Sequence, residues 1–175
     1  MRCSKTYKIE KPIFKKAINS IFFYVLKESI VFLSKRDKTI KEWIKSIKTN
    51  SIKMKILEKG AEIELIKRGD FFEKGKGKNS LEVFFKNTDS AFLMMTAQIG
   101  PEQGFAEHRL ILKGNIADAI LFTAVLKKVE AILFPGIFHK KLFRKKPALS
   151  FNDYLNRVFL YLLIPLLLIK YPWEK

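Results

Sequence analysis

Two histidines, one cysteine and scattered carboxylates are the groups in this sequence with the chemistry for catalysis, and their spacing forms no reactive constellation. His108 falls on an expected strand and His139 in a basic segment, and a lone histidine is more often structural than a general base. Cys3 sits near the chain end, a poor position for an activated nucleophile. A single cysteine also excludes an internal disulfide, no spacing suits a metal, and a reducing, cytoplasmic setting is expected. The glycines of Gly75-Lys-Gly77-Lys suit a phosphate loop, but the Ser or Thr that must follow is missing. The residues therefore predict a protein that binds rather than catalyses, with no cofactor and no metal.

The 175 residues fit one domain with a real core, because 48% are apolar and 16 are Phe. Such a chain is too apolar to stay unfolded. The net charge of +17 draws the protein towards something anionic, whether nucleic acid, an acidic partner or a bilayer surface, unless it reflects solvated lysine faces alone. Arginine is scarce and the aromatics fall on expected core faces, which argues against base stacking and so against nucleic acid. Lys15, Lys16 and Lys27 interrupt the first apolar stretch, which reads as no signal peptide.

Apolar residues at helical spacing predict a helix from Pro12 to about Ser34 and a second from Lys38 to Lys48. The period then changes. Ile52, Met54 and Ile56 alternate with Lys53 and Lys55, and after a turn at Glu58, Lys59 and Gly60, Ile63 and Leu65 alternate with Glu62 and Glu64. These read as two antiparallel strands joined as a hairpin. Gly69 to Asn79 is expected to be an exposed loop, Ser80 to Lys86 a strand, Thr88 to Gln98 a helix and Phe105 to Lys113 a strand. Asn115 caps a helix that runs to about Phe134, with Asp118 near its positive end. The order strand, helix, strand, helix is compatible with a right-handed crossover. The fold class is α/β (α+β), a curved mixed sheet of about five strands covered by helices on one face.

Within this order, Ser80-Leu-Glu-Val-Phe-Phe-Lys86, Asp89-Ser-Ala-Phe-Leu-Met-Met95, Phe105-Ala-Glu-His-Arg-Leu-Ile-Leu-Lys-Gly114 and Asn115-Ile-Ala-Asp-Ala-Ile120 resemble the sterol carrier protein 2 family. The resemblance covers half to two-thirds of the chain and rests on hydrophobic patterns. It implies a pocket between sheet and helices that takes a lipid or other apolar small molecule, as a carrier or sensor. Its expected lining is Phe85, Phe92, Met95, Phe105, Leu110, Ala119 and Phe122, each of which would otherwise be ordinary core. The alternative is an interaction module for nucleic acid, protein or membrane surface, driven by positive charge.

The chain divides into an N-terminal helical segment (1–50), the sterol-carrier-like core (51–135) and a C-terminal extension (136–175). In the extension, His139, Lys140, Lys141, Arg144, Lys145 and Lys146 precede an apolar run from Tyr154 to Ile169 that Pro165 interrupts. The run from Val158 is too short to span a bilayer. It is expected to be a buried helix ending at Pro165 that covers the pocket or a second copy in a homodimer. The other reading is docking on an anionic membrane surface, which would make the protein peripheral to the membrane.

Overall fold

The computed structural model describes residues 12–57, 60–78, 80–96, 98–134, 150–169 and 171. Cys3, His139, the basic segment 139–146 and the Glu58–Lys59 turn lie outside the described residues.

Helix α1 (Pro12–Arg36) buries Phe23, Leu26, Ile30 and Leu33, a stripe with the three- and four-residue steps of one helical face. It is long and apolar enough to cross a membrane, but half of that stretch is buried inside the fold. Asp37 separates it from α2 (Lys38–Ser46), whose first turn it caps by accepting the Ile40 N–H at 2.9 Å.

Five strands follow: β1 (Ser51–Ile56), β2 (Glu62–Arg68), β3 (Phe71–Lys74), β4 (Ser80–Phe85) and β5 (Leu110–Lys113). Their order across the sheet is β3-β2-β1-β4-β5. The central pair β1–β4 is parallel, Ser51 facing Ser80, and the other pairs are antiparallel. Alternation puts Ile52, Met54, Ile63, Leu65, Leu81 and Phe85 on the buried face. The opposite face carries charge: Lys53 meets Glu64 at 2.6 Å and Glu62 at 3.8 Å, and Lys113 meets Glu82 at 3.6 Å. The expected mixed sheet with helices over its apolar face is the architecture found.

Three expectations need correction. The supposed loop from Gly69 to Asn79 contains β3, which pairs with β2 through a two-residue turn at Gly69 and Asp70. Gly69 supplies the positive φ (64°) such a turn requires, and the glycines and lysines around β3 obscured the burial of Phe72. Phe105 is not in a strand. It belongs to helix α4 (Pro101–Ala106), opened by Pro101 in its first turn, and the chain turns at His108 (φ 52°) before β5 begins. Finally, β4 and β5 are antiparallel neighbours, so the helices between them make no parallel crossover. Helix α3 (Thr88–Met95), the first of these, ends three residues earlier than expected.

Helix α5 (Ile116–Leu133) matches its expected span, and Asn115 accepts the Ala117 N–H at 2.8 Å. Phe122, Val125 and Val129 enter the core, where Phe122 meets Phe72 edge to face at 6.2 Å. Burying a ring like that of Phe122 stabilises by about 1.5–3 kcal/mol.

The last helix, α6 (Phe151–Ile169), overturns the expected buried helix ending at Pro165. It continues through Pro165 and leaves Phe151, Val158, Leu162, Leu166 and Ile169 exposed. Its inward stripe is Asp153, Asn156 and Leu160. An almost unbroken apolar run has no period of its own, so its orientation is set by a few polar residues, and Asp153, Asn156 and Arg157 face the protein. Lys128 of α5 receives Asp153 at 3.6 Å and Asp37 at 2.9 Å. The Arg36 guanidinium stacks on Phe159, 4.5 Å from its centroid.

Candidate functional site

Helix α5 is held over the sheet by a carboxylate at its start. Asp118 accepts the backbone N–H groups of Lys48 (3.0 Å) and Thr49 (2.9 Å) and the Thr49 hydroxyl. Burial pushes this carboxyl up, but the hydrogen bonds from Thr49 and Lys48 outweigh it and hold it below the ordinary aspartate value. The residue read from sequence as a partner of the helix end is thus a clamp between α5 and the α2–β1 link. At the same junction Gly114, with φ 128°, brings the chain so close to β4 that a Cβ would lie 3.3 Å from the Leu81 Cα.

With α5 so placed, its face lies opposite α3, α4 and strands β4 and β5 across an apolar chamber of about 40 Å³. Phe85, Met95, Phe105, Leu110, Ala119 and Phe122 all line it. These are six of the seven residues expected in a ligand site. The seventh, Phe92, points elsewhere: its ring lies under the Lys15 ammonium of α1, 5.7 Å from the centroid. A chamber of this size has room for water but not for a lipid chain.

A groove adjoins the chamber. A surface groove of about 590 Å³ between α4 and α5 shares Pro101, Phe105, Leu112, Ala119 and Thr123 with it. This volume lies in the range of small-molecule sites, about 300–1,000 Å³. Ile116, Ile120 and Phe105, at 69%, 66% and 39% exposure, stand on the groove walls. Strand and helix periods could not reveal the groove, because one of its walls belongs to α4, which the sequence did not show as a helix.

The chamber wall includes flexible side chains. Met94 and Met95 come from α3, and α4 approaches them so closely that a Cβ on Gly104 would lie 2.9 Å from the Met94 sulfur. Methionine repacks at low cost, so this wall can yield to a ligand where a β-branched wall would not.

One ionisable group lines the chamber. Glu130 of α5 sits beside Leu26, Met94, Met95 and Leu126. The residue is partly exposed, but the apolar surroundings of its carboxyl dominate, and desolvation raises it to about 7. Lys127 opposes that rise and Glu102 adds to it, and these two are paired with each other. Sequence reading passed over Glu130 because it followed two lysines on a helix and looked like surface. Among the described residues no cluster of His, Cys, Asp and Glu could hold a metal ion.

The chain is similar to sterol carrier proteins of known structure. It covers 98% of a UbiJ-SCP2 ubiquinone synthesis protein with 69% of its own length, at 13% identity and a TM-score of 0.43. Against sterol carrier protein 2 from Yarrowia lipolytica in its apo form the figures are 91%, 64%, 19% and 0.45. Against the sterol carrier protein domain 2 of Helicoverpa armigera they are 94%, 73%, 13% and 0.43. No family model and no curated protein matches the sequence.

Proposed function

We propose that the protein binds an apolar small molecule, lipid-like in character, in the groove between α4 and α5, with the chamber beneath opening to receive part of it. The observation that carries this reading is that groove and chamber adjoin, sharing five lining residues, with exposed isoleucines on the groove and methionines on the chamber. Burying an alkyl chain there would contribute about 0.8 kcal/mol per methylene, and the binding needs no reactive group. The role is that of a carrier or sensor and not of an enzyme, which the sterol-carrier resemblance of the sequence also favours. Native mass spectrometry of the purified protein tests it. Adducts with the mass of a fatty acid, sterol or phospholipid are expected, and an adduct-free spectrum together with failure to bind any alkyl probe would overturn it.

A second reading concerns α6. Asp153 and Asn156 face inward, while Phe151, Val158, Leu162, Leu166 and Ile169 face outward, an unusual arrangement for a helix in water. The chain carries a net charge of +17 and a run of cations at 139–146, immediately before α6 in sequence. We infer that this outward face lies on an anionic bilayer, as apolar side chains flanked by cations do.

A further inference from the structure

We propose that Glu130 meets the polar end of the bound molecule and makes the site select an uncharged hydroxyl-bearing amphiphile over a carboxylate of the same chain length. This inference rests on the ligand-binding reading of the same chamber.

The geometry has three parts. Ala119, Thr123, Leu126 and Glu130 follow one another along α5 at helical steps, and all line the chamber. Ala119 and Thr123 also line the groove and Glu130 does not, so Glu130 lies at the end of that stripe, about one turn beyond Lys127, the last groove residue of α5. A chain entering from the groove along α5 therefore brings its leading group to Glu130. Secondly, the side chain of Glu130 has no hydrogen-bond partner among the described residues, whereas the other carboxylates of α5 and α6 that turn inward, Asp118 and Asp153, are bonded or paired. An unpartnered carboxyl in apolar surroundings gains from any ligand that supplies a hydrogen bond.

The third part is charge. The groups that reach the chamber from the facing elements are uncharged: Leu26 from α1, Met94 and Met95 from α3, Met54 and Val83 from the sheet. Lys127 on α5 is engaged by Glu102 of α4 at the groove edge. Lys127 acts on Glu130 from the same helix, but its charge is already offset by Glu102, so it offers little net attraction to a ligand carboxylate at that end. A hydroxyl can donate to the ionised Glu130 or accept from its protonated form, so it suits both states. A carboxylate can share a proton with neutral Glu130, but it confronts a like charge once Glu130 ionises. The carboxyl is held near 7 by burial, which places this change between mildly acidic and mildly alkaline solution.

Displacement of the neutral dye Nile red from the full-length protein by 1-decanol and by decanoate, at pH 6 and pH 8.5, tests the proposal. Decanoate is ionised at both values. Its affinity is expected to fall about 30-fold over this range, following the loss of the proton from a group near 7, while that of decanol changes less than about threefold. In Glu130→Gln, whose fold is checked by its cooperative thermal unfolding, the decanoate dependence should vanish. Should E130Q fail to fold, Glu130→Met serves the same comparison. Decanoate binding equally at both pH values in the wild type, or with an unchanged pH dependence in the variant, overturns the selectivity and leaves the ligand-binding reading standing. Failure of both probes to bind at either pH overturns both.

Discussion

The guanidinium of Arg157 lies 2.7 Å from the carbonyl oxygen of Ala131, so a side chain of α6 closes the C-terminal end of α5. It also donates to the carbonyl of Ile132 at 2.9 Å, and the Tyr161 hydroxyl bonds that of Leu133 at 3.1 Å. The last turn of any helix has carbonyls without partners in the helix. Here α6 supplies them, together with a positive charge that suits the helix end.

Arg157→Ala should therefore destabilise the protein by about 2 kcal/mol, as expected for losing hydrogen bonds from a charged donor. In a chain of this length that corresponds to a fall in Tm of roughly 4–8 °C. Urea unfolding checks the value. Arg157→Lys should recover only part, since an ammonium cannot reach both carbonyls with one planar fork.

Asp118→Ala should cost about 2–3 kcal/mol, because the backbone N–H groups of Lys48 and Thr49 lose their acceptor. The folded carboxyl lies below its ordinary value. Its contribution is thus present above the unfolded pKa and lost as pH falls through the folded one. The stability gap between wild type and Asp118→Asn, full at pH 6, should narrow as pH falls below the ordinary aspartate value of 3.8, as followed by urea titrations.

Glu130 has the opposite sign. Its folded value, about 7, lies above the ordinary 4.5. The group costs nothing below its unfolded pKa, and its penalty grows as pH rises towards 7 and then levels off. Glu130→Gln should raise Tm at pH 8 and leave it unchanged at pH 4.5. Equal shifts at both pH values would mean that packing, not ionisation, is responsible.

Ile120→Glu puts a charge on the wall of the groove at a residue that is 66% exposed. Stability should change by less than about 0.5 kcal/mol, as for other surface substitutions. Lipid adducts in native mass spectra should disappear. Persistence of the same adducts would place the ligand elsewhere.

For α6, Leu162→Glu with Leu166→Glu should abolish sedimentation with phosphatidylglycerol vesicles while leaving Tm unchanged, since both residues are exposed. Wild-type protein that ignores these vesicles but forms a dimer by light scattering, broken by the same substitutions, would replace the bilayer with a second copy.

Much of the fold could be read from residue order, and the reasons are local. The alternation of Ile52, Met54 and Ile56 with lysines marks β1, and the Asn115 cap marks the start of α5. Six of the lining residues were found because core-facing and chamber-facing positions share the same period. The failures are also local. Phe105 adjoins an alternating stretch, so the apolar pattern of β5 was extended backwards across a turn that only the His108 backbone reveals. Phe92 fits the helical period but faces α1, a contact between elements that no local pattern encodes. Glu130 needed three dimensions, because desolvation depends on the neighbours that α1 and α3 bring.

The parallel pairing of β1 with β4 bears on the order in which the molecule assembles. Ser51 pairs with Ser80 across the whole β2–β3 ribbon, so the centre of the sheet joins strands further apart in sequence than its hairpin neighbours. Non-local pairing of this kind is slow and leaves strand edges open meanwhile. On a ribosome, however, α1 emerges before any strand, and Phe23, Leu26, Ile30 and Leu33 belong to the same core as the buried face of the sheet. The nascent sheet therefore has a greasy partner waiting for it, a built-in escort that shields its apolar side until α5 arrives.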